Sequence, residues 1–319
     1  MEYIHEPVLV KEVLEYLNLK SNYNVIDGTV GGGGHALEIL KAILPNGQLI
    51  GFDRDPRAIE ASTKKLKEYN KRVTLIQDSY QNINKYLNKN KNGEQANILQ
   101  FNGFLLDLGV SSAQMGLEEP RGFSYKSEET LDMRFGPDTE LTAQYILNNY
   151  KEEDLIKIFK EFGEERFSKS IARKIILFRE ESPFKAASDL TSIVNQVYRS
   201  HYSSKSIRHP ATLIFQALRI AVNNELQVLE QSLNNIIKIL PTGARIVIIS
   251  FHSLEDRIVK QFFNLEAKDC LCPSEIPVCR CNHKARVKIL TKKPVTTSLT
   301  EIKRNPCSRS AKLRAYQVI

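Results

Sequence analysis

Two carboxylates and a run of glycines mark the first place in this sequence where chemistry can be done. Val25-Ile26-Asp27-Gly28-Thr29-Val30-Gly31-Gly32-Gly33-Gly34-His35 reads as a short buried strand running into four consecutive glycines, with a helical pattern from Ala36 to Leu44 behind it. Glycine is needed where φ is positive or where a Cβ would collide with a ligand, and the first turn of the next helix offers unpaired N–H groups. The loop therefore predicts a site where a ligand touches backbone. Two ligand classes compete for it. Gly31, Gly33 and Ala36 satisfy the G-x-G-x-x-G/A fingerprint of dinucleotide sites. Asp27 argues the other way, because a carboxylate just ahead of the glycines is unfavourable beside a pyrophosphate and favourable beside a ligand carrying an ammonium and a sulfonium. Asp53, closing Ile50-Gly51-Phe52-Asp53, is placed to accept both hydroxyls of a ribose, which either ligand contains. Further on, Gln77-Asp78-Ser79-Tyr80 is placed to flank an adenine, with Asp78 or a backbone N–H at its edge and Tyr80 at its face.

These residues need a frame that brings them to one edge. After a helical stretch from Val8 to Leu17, β-rich runs at Tyr23 to Ile26, Gln48 to Asp53, Val73 to Gln77 and Gly103 to Leu108 alternate with helical ones. Strands alternating with helices imply a parallel, doubly wound sheet, so the fold class is α/β. The pattern changes after Ser112. A polar stretch with Gly and Pro runs from Gly116 to Thr139, followed by amphipathic segments at Leu141 to Asn148, Glu152 to Phe162 and Phe167 to Glu180. Gly243 to Phe251 is again a buried strand after a Pro-Thr-Gly turn, and Arg286 to Leu290 with Leu313 to Ile319 makes a closing pair. The expected architecture is one discontinuous sheet domain, residues 1–114 and 216–319, interrupted by an all-helical insertion over 115–215.

The net charge of +8 and a pI near 9.1 favour a polyanionic partner, with lysine and arginine densest in the last thirty or so residues. No run approaches the roughly 20 apolar residues that span a bilayer, and the acidic start Met1-Glu2-Tyr3-Ile4-His5-Glu6 is unlike a secretory signal, so the expected location is the cytoplasm. Of five cysteines, four crowd between Cys270 and Cys281, which is not a disulfide framework. Cys270-x-Cys272 and Cys279-x-Cys281, with His283 beyond, could form a tetrahedral zinc site or stay reduced in a surface loop. The usual C-x2-C spacing is absent, and no metal is assigned.

The fourth β-rich run ends in Leu105-Leu106-Asp107-Leu108-Gly109-Val110-Ser111-Ser112-Ala113-Gln114, followed by Arg121-Gly122-Phe123-Ser124 and Leu131-Asp132-Met133-Arg134. Together with Asp27 to His35, His209 to Arg219, Ser250 to Arg257 and Asn305 to Arg314, these blocks resemble the bacterial 16S ribosomal RNA cytosine-N4 methyltransferases, the MraW/RsmH family. The likeness runs from His5 to Arg314. It implies a class I S-adenosylmethionine-dependent methyltransferase with a Rossmann-like sheet, whose insertion recognises RNA, acting on the exocyclic amine of a decoding-site cytidine. By motif position it implies Gly33, Gly34, His35, Asp53, Tyr80, Asp107 and Gln114 as residues that hold S-adenosylmethionine. The expected partner is 16S rRNA within the small ribosomal subunit, and a homodimer is left open.

Asp107 is the first candidate for an acceptor that orients the target amine and disperses its developing charge. Enzymes that methylate amino groups of DNA bases resemble one another in an Asp/Asn-Pro-Pro-aromatic segment here, whereas this chain has Asp-Leu-Gly-Val, which leaves the aromatic clamp unidentified. A base in folded RNA must be swung out to reach such a pocket. Arg121, Phe123, Arg134, Arg208, His209, Arg219, Arg257, Arg309, Lys312 and Arg314 are therefore expected along the RNA approach. His252 and Asp256 suit either catalysis or the joint between strand and helix. Cys307 would suit attack on ring C6, but it lies in the basic C-terminal block rather than at a strand end. Two rival functions remain, a dinucleotide-dependent oxidoreductase and a basic RNA-binding assembly factor with a vestigial pocket.

Overall fold

The computed structural model describes residues 6–87, 100–111, 114, 121–125, 130–201, 209–273 and 278–319. The chain divides into two compact units, one of residues 1–109 and 226–319, the other of residues 110–225.

The first unit is a sheet with helices on both faces. Its strands are β1 (Val25–Asp27), β2 (Leu49–Asp53), β3 (Val73–Gln77), β4 (Gly103–Asp107), β5 (Arg245–Ser250), β6 (Val287–Ile289), β7 (Val295–Thr296) and β8 (Lys312–Val318). They lie in the order β3-β2-β1-β4-β5-β8-β6, with β7 also pairing to β8. β1 to β5 are parallel, while β8 runs antiparallel to β5, β6 and β7. The expected closing pair is thus present as β6 and β8.

Alternation along the central strands explains the two faces. Phe104 and Leu106 of β4 and Ile246 and Ile248 of β5 pack in one core with Leu229, Leu233, Ile236, Val259 and Phe263. Leu105, Val247 and Ile249 point into the other with Val13, Leu17, Ile39 and Leu40. Successive strand residues face opposite ways, so a strand covered on both sides must be apolar throughout. The helices of this unit are α1 (Val10–Leu17), α2 (Gly34–Ala42), α3 (Pro56–Lys65) and the short α4 (Asn84–Leu87).

The second unit holds α5 (Ala143–Asn149), α6 (Glu152–Glu161), α7 (Ser168–Glu181), α8 (Ala187–His201) and α9 (Ala211–Asn223). Their apolar stripes share one core containing Leu147, Phe159, Ile175, Phe184, Val194 and Leu218. The boundary expected at 215/216 falls inside α9, which the structure keeps whole within the helical unit. Asn223 shows why: its amide accepts from the Phe135 N–H at 2.8 Å and donates to the Met133 carbonyl at 2.7 Å, clipping the polar stretch onto the last turn of α9. Beyond it come α10 (Glu225–Ile239), α11 (Ser253–Glu266) and α12 (Leu299–Arg304). Among the described residues, no helix is long and apolar enough to cross a membrane.

Candidate functional site at the carboxyl edge of the sheet

Strand order reverses between β1 and β4, and in open α/β sheets that switch point opens a crevice at the carboxyl ends of the strands. Register shapes the crevice here. Asp27 ends β1 level with Gly51 and Leu105, while β2 and β4 each run two residues further, to Asp53 and Asp107. Asp27 is therefore recessed between two taller neighbours that also end in carboxylates.

The loop after β1 is stitched to both of them. Gly28 N–H donates to the Leu105 carbonyl and Val30 N–H to that of Phe52, while Gly31 N–H donates to Asp53 Oδ2 at 2.9 Å. The Asp107 N–H donates to Thr29 Oγ1 at 2.7 Å. Gly33 has φ of 77° and forms the N-cap of α2, a left-handed position at which glycine avoids strain. The glycines also serve packing that the sequence does not disclose. A Cβ on Gly34 would lie 2.8 Å from Pro7, and one on Gly28 2.5 Å from the Leu106 side chain and 3.2 Å from Tyr80 Cβ. Tyr80, in a single 3-10 turn after β3, thus stands beside the start of the loop.

The carboxylates differ in their partners. Asp53 is bonded on both oxygens, to Gly31 and Asp55 N–H groups, and burial still pushes it up to about 6. Asp27 is 1% exposed. Its Oδ1 accepts from Thr29 N–H at 3.1 Å, whereas buried Oδ2 has no hydrogen-bond partner among the described residues. Burial foremost, and then the charge of Asp53, push Asp27 up to about 7 against the pull of that N–H. Asp107 Oδ1 is likewise buried without a partner, and burial, then Asp27 and Glu255, raise its carboxyl well above the usual range. Its Oδ2 lies 3.5 Å from His35 Nδ1. His35 Nε2 meets the Val8 carbonyl at 2.8 Å, so it is the donor there, and a neutral ring turns its Nδ1 lone pair toward Asp107. Two hidden acceptors lacking donors form a cradle for a cationic or N–H-rich ligand.

Other expected residues have partners within the protein. Asp78 spends Oδ1 on Ser79 N–H and Asn82 and Oδ2 on the Tyr86 hydroxyl. Gln114 belongs to the helical unit, where its side chain accepts from Ser111 N–H at 2.9 Å. Arg134 grips Asp132 through two bonds of 2.8 and 2.7 Å, and Arg121 donates to the carbonyls of Arg134 and Phe135. Arg219 is bidentate to Glu225 at 2.8 Å. Arg314, 6% exposed, bridges β8 to Asp256 of α11. Phe123, expected along the RNA approach, is instead part of the helical core, stacked on Phe135. His252 and Glu255 form the capping box of α11, so His252 is the strand-to-helix joint. Arg257 and Arg309 are exposed, Lys312 is half-exposed, and the His209 ring stacks on Tyr125 at 4.2 Å. Arg208 lies outside the described residues.

The sequence matches the MraW methylase family over residues 2–319. It is 49% identical over 313 residues to the ribosomal RNA small subunit methyltransferase H of Halothermothrix orenii, covering 98% of each chain. It is 46% identical over 319 residues to the protein of that name from Heliobacterium mobile, covering both chains fully.

Proposed function

The chain belongs to the MraW methylase family and its cofactor is S-adenosylmethionine; on that premise we propose that it methylates the exocyclic N4 amine of a decoding-site cytidine in 16S ribosomal RNA. The observation that carries this reading is the pair of buried, partnerless oxygens, Asp27 Oδ2 and Asp107 Oδ1, at the switch point of the sheet. They fit the cofactor, because a ligand bearing an ammonium and a sulfonium supplies the donors and positive charge they lack. Asp27 binds the ammonium, Asp53 the ribose hydroxyls, Tyr80 the adenine face, and the Gly33–Gly34 turn lets the ligand approach backbone. Gln114 is assigned to the cofactor as well. A dinucleotide-dependent oxidoreductase is set aside by the family.

When bound, the sulfonium supplies a methyl group that is intrinsically a good electrophile. The cytosine amine is a poor nucleophile, since its lone pair is delocalised into the ring. The chain's own contribution is therefore positioning, which is worth most when the amine is held about 3–3.5 Å from the methyl and in line with the sulfur. Asp107 Oδ1 accepts an amine N–H, turns the lone pair toward the methyl and stabilises the positive charge that grows on nitrogen. His35 keeps Asp107 in place: its Nε2–H is fixed on the Val8 carbonyl, and Nδ1 can hold the proton that Asp107 Oδ2 gives up when a cation enters. The proton released from N4 then passes to Asp107.

The RNA reading draws on relatives named ribosomal RNA small subunit methyltransferase H and on a net charge of +8. Arg257, Arg309 and Lys312, with Arg208 and His209 of the helical unit, are the residues assigned to RNA, met within the small ribosomal subunit in the cytoplasm. The test is methyl transfer from labelled S-adenosylmethionine to small subunits lacking their native modifications, with mass mapping of the label. N4-methyl on one cytidine is expected. Cofactor binding with no label on intact subunits, late precursors or free RNA would sink the ribosomal assignment and leave the vestigial assembly factor.

A further inference from the structure

Past the end of α11 the chain runs out through Lys268-Asp269-Cys270-Leu271-Cys272 and comes back through Cys279-Arg280-Cys281-Asn282-His283 to β6. The neck of this excursion is clamped: Arg286 N–H donates to the Glu266 carbonyl at 2.7 Å, and the same two residues form a side-chain ion pair. No apolar core orders the described residues beyond it. Leu271 is 43% exposed and Val278 70%, so the usual compensation for ordering a chain segment is missing.

Sulfur gathers there instead. The Sγ atoms of Cys270, Cys272, Cys279 and Cys281 all lie within 4.8 Å of one another. The Cys270–Cys279, Cys279–Cys281 and Cys270–Cys281 separations are 3.3, 3.6 and 3.7 Å. A disulfide would bring two sulfurs to about 2.05 Å, and all four cysteines are free. Four thiolates on one zinc, each at about 2.3 Å, stand about 3.8 Å apart along the edges of their tetrahedron, close to the three separations among Cys270, Cys279 and Cys281 and within the 4.8 Å that bounds those to Cys272. An iron–sulfur cluster divides its thiolates between separate irons, and four sulfurs this close leave no room for that.

Backbone donors point the same way. Leu271 N–H donates to Cys281 Sγ at 3.3 Å, Cys272 N–H to Cys270 Sγ at 3.4 Å, and Arg280 N–H to Cys272 Sγ at 3.3 Å. Amides aimed at sulfur stabilise thiolates and orient metal ligands. The two Cys-x-Cys halves come together across the excursion, and the adjoining sequence carries Lys268, Arg280 and Lys284 against one acid, Asp269.

We propose that Cys270, Cys272, Cys279 and Cys281 bind one zinc ion in a closed tetrathiolate site that staples the segment between α11 and β6. The site is structural. All four positions around the metal are taken by protein, so none is open to substrate, and the thiol protons leave to solvent as the metal binds. Its zinc content stands or falls independently of the methyl-transfer reading.

The test uses the full chain, purified reduced and without strong chelators from cells supplied with zinc, and measures metal by elemental analysis. About one zinc per chain is expected, falling about tenfold or more in the C270S/C279S variant. Should that variant not fold, the wild-type chain stripped of metal and titrated with cobalt(II) gives a second reading. Tetrahedral thiolate-to-cobalt absorption that saturates at one equivalent, and that zinc abolishes, is expected. Folded, reduced protein with no zinc, zinc retained by the double variant, iron in its place, or cobalt bound without tetrahedral absorption would each overturn the assignment.

Discussion

Acids partly or fully withdrawn from solvent occur in two settings in this molecule, and they behave oppositely. Asp132, Glu225 and Asp256 each hold an arginine in two-pronged geometry, through Arg134, Arg219 and Arg314. Burial works against the Asp132 and Asp256 carboxylates, yet the arginine bonds and charges outweigh it and hold both below their ordinary value. Among the described residues no arginine pairs with Asp27 or Asp107, and burial pushes Asp27 up to about 7 and Asp107 well above the usual range. A withdrawn acid with its own cation is kept charged by the fold, whereas one without is open to a cation from outside.

Variants on either side of the contrast would break or sharpen it. Asp107→Ala should cost most, about 100- to 1,000-fold in single-turnover methyl transfer, with cofactor affinity changed far less; an unchanged rate would strip Asp107 of its role. Arg219→Ala leaves Glu225 buried without its partner and should cost about 3 kcal/mol of stability in chemical denaturation. An effect on activity alone, at full stability, would move that arginine into the functional class. Asp27→Asn should weaken the cofactor about 10- to 100-fold at pH 8 by calorimetry. The same variant tests the sign of the titration. Between the ordinary carboxylate value and about 7 the unliganded folded chain holds a proton at Asp27 that the unfolded chain releases, so stability should fall as pH rises through that window. Cofactor affinity should climb across the same window, and the Asp27→Asn variant should make both slopes shallower, with Asp53 and Asp107, also raised, keeping the remainder. The smallest effect belongs to Arg257→Ala and Arg309→Ala: binding to small subunits about threefold weaker with a shallower salt dependence.

The contrast was only half legible in the sequence. Asp27, Asp53 and Asp107 could be found because each closes an apolar run, and β3 was expected over the five residues it occupies. Central strands covered on both faces announce themselves in this way. The arginines could not be sorted, because their partners follow no local rule: Arg134 pairs two residues back, Arg219 six residues on, and Arg314 58 residues away. The glycine run was visible, but part of its cause was not, since Pro7 approaches Gly34 only once the chain is folded. The two-residue β7 was invisible for lack of length, and the end of the helical insertion was set at 215 rather than 225 because the clip at Asn223 reaches back 90 residues to Met133.

The position of β8 governs how the sheet can be assembled. β6 and β7 precede it in sequence, and among the described residues both pair only with β8, which itself lies against β5. Neither can find its place until a later segment has docked. The pairing of β1 to β4 with one another involves no residue beyond 107, although later helices cover their faces, so the two ends of the sheet should acquire protection from hydrogen exchange at different times during refolding.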